Sequence, residues 1–308
     1  MSRFAGGDKP MTLSDVDWQW KGLWFLLPLL VLLPSRSARA QADLTGEWSA
    51  RVYNENRDIG DFTGLPINAA ALYRAESWTG DQDALPENGR CYWPFDIAYR
   101  VAVSQLLIYT QRDPDTRQII AYHFHTAWSD VDVWMDGRSS PPNYALSTYQ
   151  GFSTGRWIDN ATLMITTDHL KEGFFTRNGV IRSSKAAVTT LLNRFGNVLT
   201  ITVIVDDPVY LTEPYIRAES WYYATNQQTN DSATRCEVPP EGGLIPAGSV
   251  PTFMPAKNET LHDYAIEYGL PLDSALGGAE TLYPEYIKKM KTMKKEPRST
   301  TKHYRRFG

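Results

Sequence analysis

Cysteine is scarce in this chain. Its 308 residues include two, Cys91 and Cys236, and two thiols permit only one pairing. Neither lies in a Cys–His signature, which weighs against a catalytic thiol and leaves a Cys91–Cys236 disulfide as the first expectation. Closing so long a loop stabilises a fold by about 4–5 kcal/mol on chain-entropy grounds. Other absences narrow the chemistry. There is no phosphate loop, dinucleotide fingerprint, zincin helix or Gly-x-Ser-x-Gly elbow. No strand–helix–strand alternation is visible, which argues against a parallel sheet. Positive charge is not in excess either, the net charge being −4. Because the stretch from Lys288 to Arg306 is strongly basic, the remainder is clearly acidic, and an acidic body argues against nucleic acid as the main partner.

What is there begins with an apolar N-terminal run, Gly22 to Leu33, interrupted by Pro28. Lys21 precedes it, and Ser37-Ala38-Arg39-Ala40 follows with small residues where a signal peptidase reads. A signal peptide carries about 7–15 apolar residues before its cleavage site, whereas a membrane span needs about 20. Residues 1–40 therefore read as a signal peptide, with a mature chain from Gln41 and a periplasmic or secreted location. An uncleaved anchor is the other reading of the same residues.

The body is rich in aromatics, with 10 Trp and 17 Tyr, and is 42% hydrophobic. Such residues suit pleated sheets, and they also line cavities that take apolar ligands. Strand-like alternation marks Leu44–Tyr53, Ile97–Val103, Gln105–Thr110, Gln118–Ala127, Val131–Met135, Gly151–Ile158, Thr162–His169, Ala186–Arg194, Val198–Val205 and Ile216–Ala224. Turn residues separate them at Asp113–Thr116, Asp136–Arg138, Asp159-Asn160 and Phe195–Asn197. Pro66–Trp78 carries helical signals. Short strands at near-regular spacing predict an all-β fold, an antiparallel barrel over residues 41–237 with one N-terminal helix. Residues 238–296 read as a Pro/Gly-rich segment followed by short helices over Thr260–Tyr268 and Tyr283–Lys295, an appendage draped over the barrel. Tyr283, Tyr286, Ile287 and Met290 fall at helical spacing and are expected to dock as one apolar stripe. Residues 297–308 read as a basic disordered tail, whose surface partner would be an anionic membrane.

Several local motifs form a recognisable set: Trp134-Met135-Asp136-Gly137-Arg138, Tyr149-Gln150-Gly151-Phe152-Ser153 with Gly155-Arg156-Trp157, and Asp206-Asp207-Pro208. With them the span from Asp43 to Cys236 resembles a family of uncharacterised exported bacterial proteins. The second motif departs from the family pattern, reading Gly-Arg-Trp-Ile-Asp-Asn-Ala-Thr-Leu where Gly-Arg-Trp-Glu-Gly-Asp-Thr-Leu is usual. The opening Leu44-Thr45-Gly46-Glu47-Trp48 is similar to the Gly-x-Trp strand of lipocalin-like (calycin-like) barrels. The resemblance implies an exported β-barrel domain and carries no activity with it.

The residues best suited to chemistry are His123 and His125. They lie two apart on a predicted strand, so both imidazoles leave one face. Two such imidazoles are half of a divalent-metal site, and Asp130 and Asp132 follow closely enough to join them as ligands or acid–base groups. The bland reading is a solvated polar face. Trp134, Arg156, Trp157 and Tyr122 are the candidate ligand-binding residues. Arg156 beside Trp157 suits either a carboxylate or a structural cation–π pair. Asp136, Asp168-His169 and Asp206-Asp207 read mainly as turn or strand-end residues. Two functional classes follow. The first is an exported protein binding a small apolar or amphipathic molecule in a barrel cavity. The second is a hydrolase or lyase using a histidine or metal site, and a structural cell-envelope role stands as a third reading.

Overall fold

A computed structural model describes residues 41–50, 57–78, 105–126, 129–174, 178–224, 252–254 and 257–298. The segment 1–40, Cys91, Cys236, the strand expected over Ile97–Val103 and nearly all of 297–308 lie outside the described residues.

Alternating apolar residues and turn-forming breaks produce the strands β1 (Gly46–Ala50), β2 (Gln105–Arg112), β3 (Ile119–Thr126), β4 (Asp130–Trp134), β5 (Phe152–Trp157), β6 (Thr162–Asp168), β7 (Gly173–Phe174), β8 (Ile181–Arg182), β9 (Ala187–Phe195), β10 (Val198–Asp206) and β11 (Tyr215–Tyr223). Nine of them close a barrel in the order β1-β11-β10-β9-β6-β5-β4-β3-β2, while β7 and β8 form a separate ribbon. Closure rests on β1, which pairs with β11 on one side and β2 on the other.

The wall is not wholly antiparallel. β4 and β5 run parallel, with Val133 opposite Ser153 and Trp134 opposite Thr154. A parallel pair needs a connection of about a dozen residues or more, and residues 135–151 supply it without a helix. The crossover is pinned where the Thr148 N–H donates to the His169 carbonyl at 2.9 Å and the Lys171 N–H to the Thr148 carbonyl at 2.8 Å. Because this crossover contains no helix, strand–helix–strand alternation is absent even though the two strands run parallel, and the antiparallel expectation fails at this one seam.

Side chains alternate between the lumen and the outside with the period of two that the pleat imposes. Leu106, Ile108, Phe124, Leu163, Leu192, Leu199 and Ile201 point inward and are fully buried. Gly155 also faces inward, where a Cβ would stand 2.5 Å from Met135 Sδ and 2.9 Å from Val133 Cγ1. One end of the barrel is plugged. Trp48 donates through Nε1 to the Leu44 carbonyl at 3.0 Å and packs edge-on against Tyr223. The Arg194 guanidinium covers both rings, 5.0 Å from the centre of Trp48 and 5.3 Å from that of Tyr223.

The helix expected over Pro66–Trp78 occupies Ala69–Glu76 (α1) and lies between β1 and β2 in the chain. Asn68 caps it by accepting from the Ala70 and Ala71 N–H groups. The C-terminal appendage holds the helices α2 (Asp263–Tyr268), α3 (Leu272–Ala275) and α4 (Pro284–Met290). It is fastened to the segment 57–78. The Phe62 N–H donates to the Ala275 carbonyl at 2.9 Å, and Asn258 Nδ2 donates to the Glu76 carbonyl at 2.9 Å and the Trp78 carbonyl at 3.2 Å. Gly60, in the left-handed region, lets the backbone at Leu261 approach so closely that a Cβ would run into its carbonyl. The apolar stripe of α4 is not docked as expected: Tyr283 and Ile287 are exposed and no residue of α4 is buried. The appendage is held by its loops and α3, which leaves that face outside.

Candidate metal centre

The site sits on the outer face of the β2–β3–β4 wall. At the β3–β4 turn the Thr126 N–H donates to the Ser129 carbonyl at 2.8 Å, and the Ser129 N–H donates to Thr126 Oγ1 at 3.0 Å. This closure sets the register that puts His123 opposite Asp132 and His125 opposite Asp130. All four side chains leave the same face, because directly opposed residues share a side of the sheet.

Asp132 is the anchor. Its Oδ1 accepts from His123 Nδ1 at 2.6 Å and from Gln111 Nε2 at 2.8 Å. That bond selects the tautomer of His123 and turns Nε2 toward Asp130 Oδ1, with which it is in hydrogen-bond contact. Asp130 Oδ1 lies 3.4 Å from His125 Nδ1. Tyr109 on β2 stacks on His123, ring centres 4.5 Å apart and 30° from parallel, which fixes the imidazole plane. One ligand atom each from His123, His125 and Asp130 falls within 4.8 Å of the others, close enough to share one ion.

The electrostatics follow from these contacts. Burial alone would lower the His123 pKa, but the hydrogen bonds to Asp130 and Asp132 outweigh it and hold the imidazole above its ordinary 6.5. Asp130 is driven well below the usual carboxylate range, chiefly by its hydrogen bonds to His123 and His125. When protonated, the His123 imidazolium donates to both carboxylates. A cation that replaces the Nε2 proton meets His123 Nε2, the Asp130 carboxylate and His125 Nδ1, with Asp132 and Gln111 bracing His123 from behind. A histidine whose second nitrogen donates to a carboxylate is the usual support of a metal ligand.

The other sequence candidates separate. Tyr122 and Trp157 point into the barrel and touch edge-on, ring centres 6.4 Å apart. Trp134 and Arg156 point out, on β4 and β5, so the wall stands between the two pairs. Arg156 reaches Met164 Sδ, and the cation–π pair in this region is Arg138 over Trp134 at 3.5 Å. Asp136 binds Arg138 through both carboxylate oxygens, which lowers its pKa to about 2. Buried Asp207 caps the chain after β10, accepting from Ser183 N and Oγ, Val209 N and Tyr210 N. His169 Nδ1 pairs with Asp168 at 2.7 Å and Nε2 donates to the Pro142 carbonyl at 3.1 Å, so this pair braces the crossover loop. Gln111 and Tyr109 are contributors that sequence reasoning missed. The Asp113–Thr116 turn is their signal, since a hairpin around it brings Tyr109 opposite His123.

No protein-family model matches this chain, and comparison with curated proteins and with solved structures also finds no match.

Proposed function

We propose that this protein binds a divalent first-row metal ion, zinc being the type case, on the outer face of its barrel through His123, His125 and Asp130. The observation that carries the reading is the relay Gln111–Asp132–His123, which orients Nε2 onto the same point as Asp130 and His125. A solvated polar face has no need of such bracing. Three protein ligands leave a coordination position for water, as in hydrolytic rather than structural zinc sites. The hydrolase reading of the sequence therefore gains support from the ligand count.

The finer fold and cellular readings belong to the same proposal. The Gly46-Glu47-Trp48 strand at the plugged end supports a lipocalin-like barrel and kinship with the exported bacterial family. The run Gly22–Leu33 ahead of Ser37–Ala40 supports export, and the lysines from Lys288 to Lys295 support contact with an anionic surface.

Isothermal titration of the purified full chain with zinc, after chelation and dialysis, is the test. One ion per chain with micromolar or tighter affinity, lost in His125→Ala, is expected. Absence of binding in that range, or an affinity unchanged in His125→Ala, overturns the assignment.

A further inference from the structure

Helix α4 and the turns beside it have two unlike flanks. One flank is seated on the appendage. Tyr286 donates through its hydroxyl to the Asp273 carbonyl at 3.1 Å, and Ser274 Oγ donates to Met293 Sδ at 3.7 Å. The Glu296 N–H donates to the Leu270 carbonyl at 3.0 Å, which ties down the end of the segment. The other flank looks outward. Leu282, Tyr283 and Ile287 keep 62%, 52% and 42% of their surface open. Tyr283 and Ile287 stand one helical turn apart and are neighbours on the surface. Large apolar side chains are therefore held out to solvent by a braced helix.

The charge around this flank is of one sign. Lys288, Lys289, Lys291, Lys294 and Lys295 are all exposed, and Lys291 lies one turn along from Ile287. Between Tyr283 and Arg298 the acids are Glu285 and Glu296 alone. Among the described residues no carboxylate forms an ion pair with any of these lysines.

This combination narrows the occupant. A second copy of the chain would bring the lysines against their own kind, which disfavours pairing through this flank. A soluble polyanion would engage the lysines and leave the apolar side chains bare. An anionic bilayer meets both: apolar tips enter the acyl boundary, while ammonium groups stay among the phosphates on extended stems. We propose that α4 is a membrane-docking element, with Leu282, Tyr283 and Ile287 inserted into an anionic phospholipid leaflet and Lys288 and Lys291 on its phosphates. This inference rests on the reading that the lysines meet an anionic surface, and adds which residues enter the lipid.

The test is binding of the full chain to two kinds of vesicle, phosphatidylcholine alone and equal parts phosphatidylcholine and phosphatidylglycerol. Flotation reads the partition, and mass spectrometry reads the acetylation of individual lysines. Partition is expected to be at least about tenfold stronger on the mixed vesicles and to weaken as salt rises. Lys288 and Lys291 are expected to be acetylated more slowly there than in solution. Lys288→Gln/Lys291→Gln is expected to weaken partition about tenfold or more. Tyr283→Ser/Ile287→Ser is expected to weaken it about tenfold, through the apolar area no longer buried. All four positions are exposed, and serine suits the N-cap that Tyr283 occupies, so neither variant should shift the melting temperature. The apolar run Gly22–Leu33 is the same in every variant and uncharged, so its background is common to all, and acetylation reports α4 itself. No preference for mixed vesicles, with Lys288 and Lys291 unprotected, removes the anionic-surface reading and this inference with it. A preference lost in the lysine variant but kept in Tyr283→Ser/Ile287→Ser overturns the insertion alone and leaves the surface contact standing. A dimer in sedimentation that dissociates in Tyr283→Ser/Ile287→Ser assigns the flank to a second copy and also overturns the insertion.

Discussion

The two faces of the β3–β4 hairpin are built from the same stretch of chain and do opposite things. Inward, Tyr122, Phe124, Val131 and Val133 are buried in the core. Outward, His123, His125, Asp130 and Asp132 meet in one polar cluster at the register of the ladder. Neighbours in sequence thus divide the labour, one supplying apolar burial and the next supplying ligand atoms. The difference teaches that the hydrophobic face holds the hairpin in place, and the polar face inherits a geometry it did not have to stabilise.

If that division holds, the largest effect on folding comes from the inner face. Phe124 is fully buried, and Phe124→Ala should cost about 3–5 kcal/mol in denaturant unfolding. A loss below about 1 kcal/mol would show that the inner face is not what holds the hairpin. Next comes overpacking of the same lumen. Gly155→Ala puts a methyl against Met135 and Val133 and should cost about 1–3 kcal/mol, read from the same unfolding curves.

Outer-face changes should invert the pattern. Asp132→Asn should alter stability by no more than about 0.5 kcal/mol, yet lower zinc affinity about 10–100-fold by releasing His123 from its orienting carboxylate. Equal zinc affinity in this variant would remove Asp132 from the positioning role. The smallest effect is a titration. Because the His123 pKa is raised in the fold, the stabilisation from its contacts with Asp130 and Asp132 is fully present below the unfolded value near 6.5 and fades as pH rises through the folded value. Nuclear magnetic resonance of the metal-free protein should show His123 titrating above 6.5. In an Asp130→Asn/Asp132→Asn variant, burial alone remains and the midpoint should fall below 6.5. An unchanged midpoint would break the link between the carboxylates and the imidazole.

Much of this comparison was legible in the residues themselves. His123 and His125 at a spacing of two already shared a face, and the Asp159-Asn160 and Phe195–Asn197 turns already marked the β5–β6 and β9–β10 hairpins. Asp130 and Asp132 were near in sequence, but only the register of the Thr126–Ser129 turn placed each beside a histidine. Gln111 and Tyr109 required one more register, that of β2 on β3. Trp134 and Arg156 resemble Tyr122 and Trp157 in chemistry, but parity along each strand puts the two pairs on opposite sides of the wall.

What the sequence determined by itself is local: period-two alternation and turn chemistry act over a few residues and read the same in any fold. Tertiary structure alone decided the rest. The parallel seam between β4 and β5, closure through β1 onto both β2 and β11, and the stacking of Arg194 over Trp48 and Tyr223 join segments far apart in the chain. Such joins depend on how the whole wall twists and closes around its core. The side of the wall that Arg217 and Glu219 face is decided in the same way, since alternation says that the two share a face, and only closure of the barrel makes that face the inside.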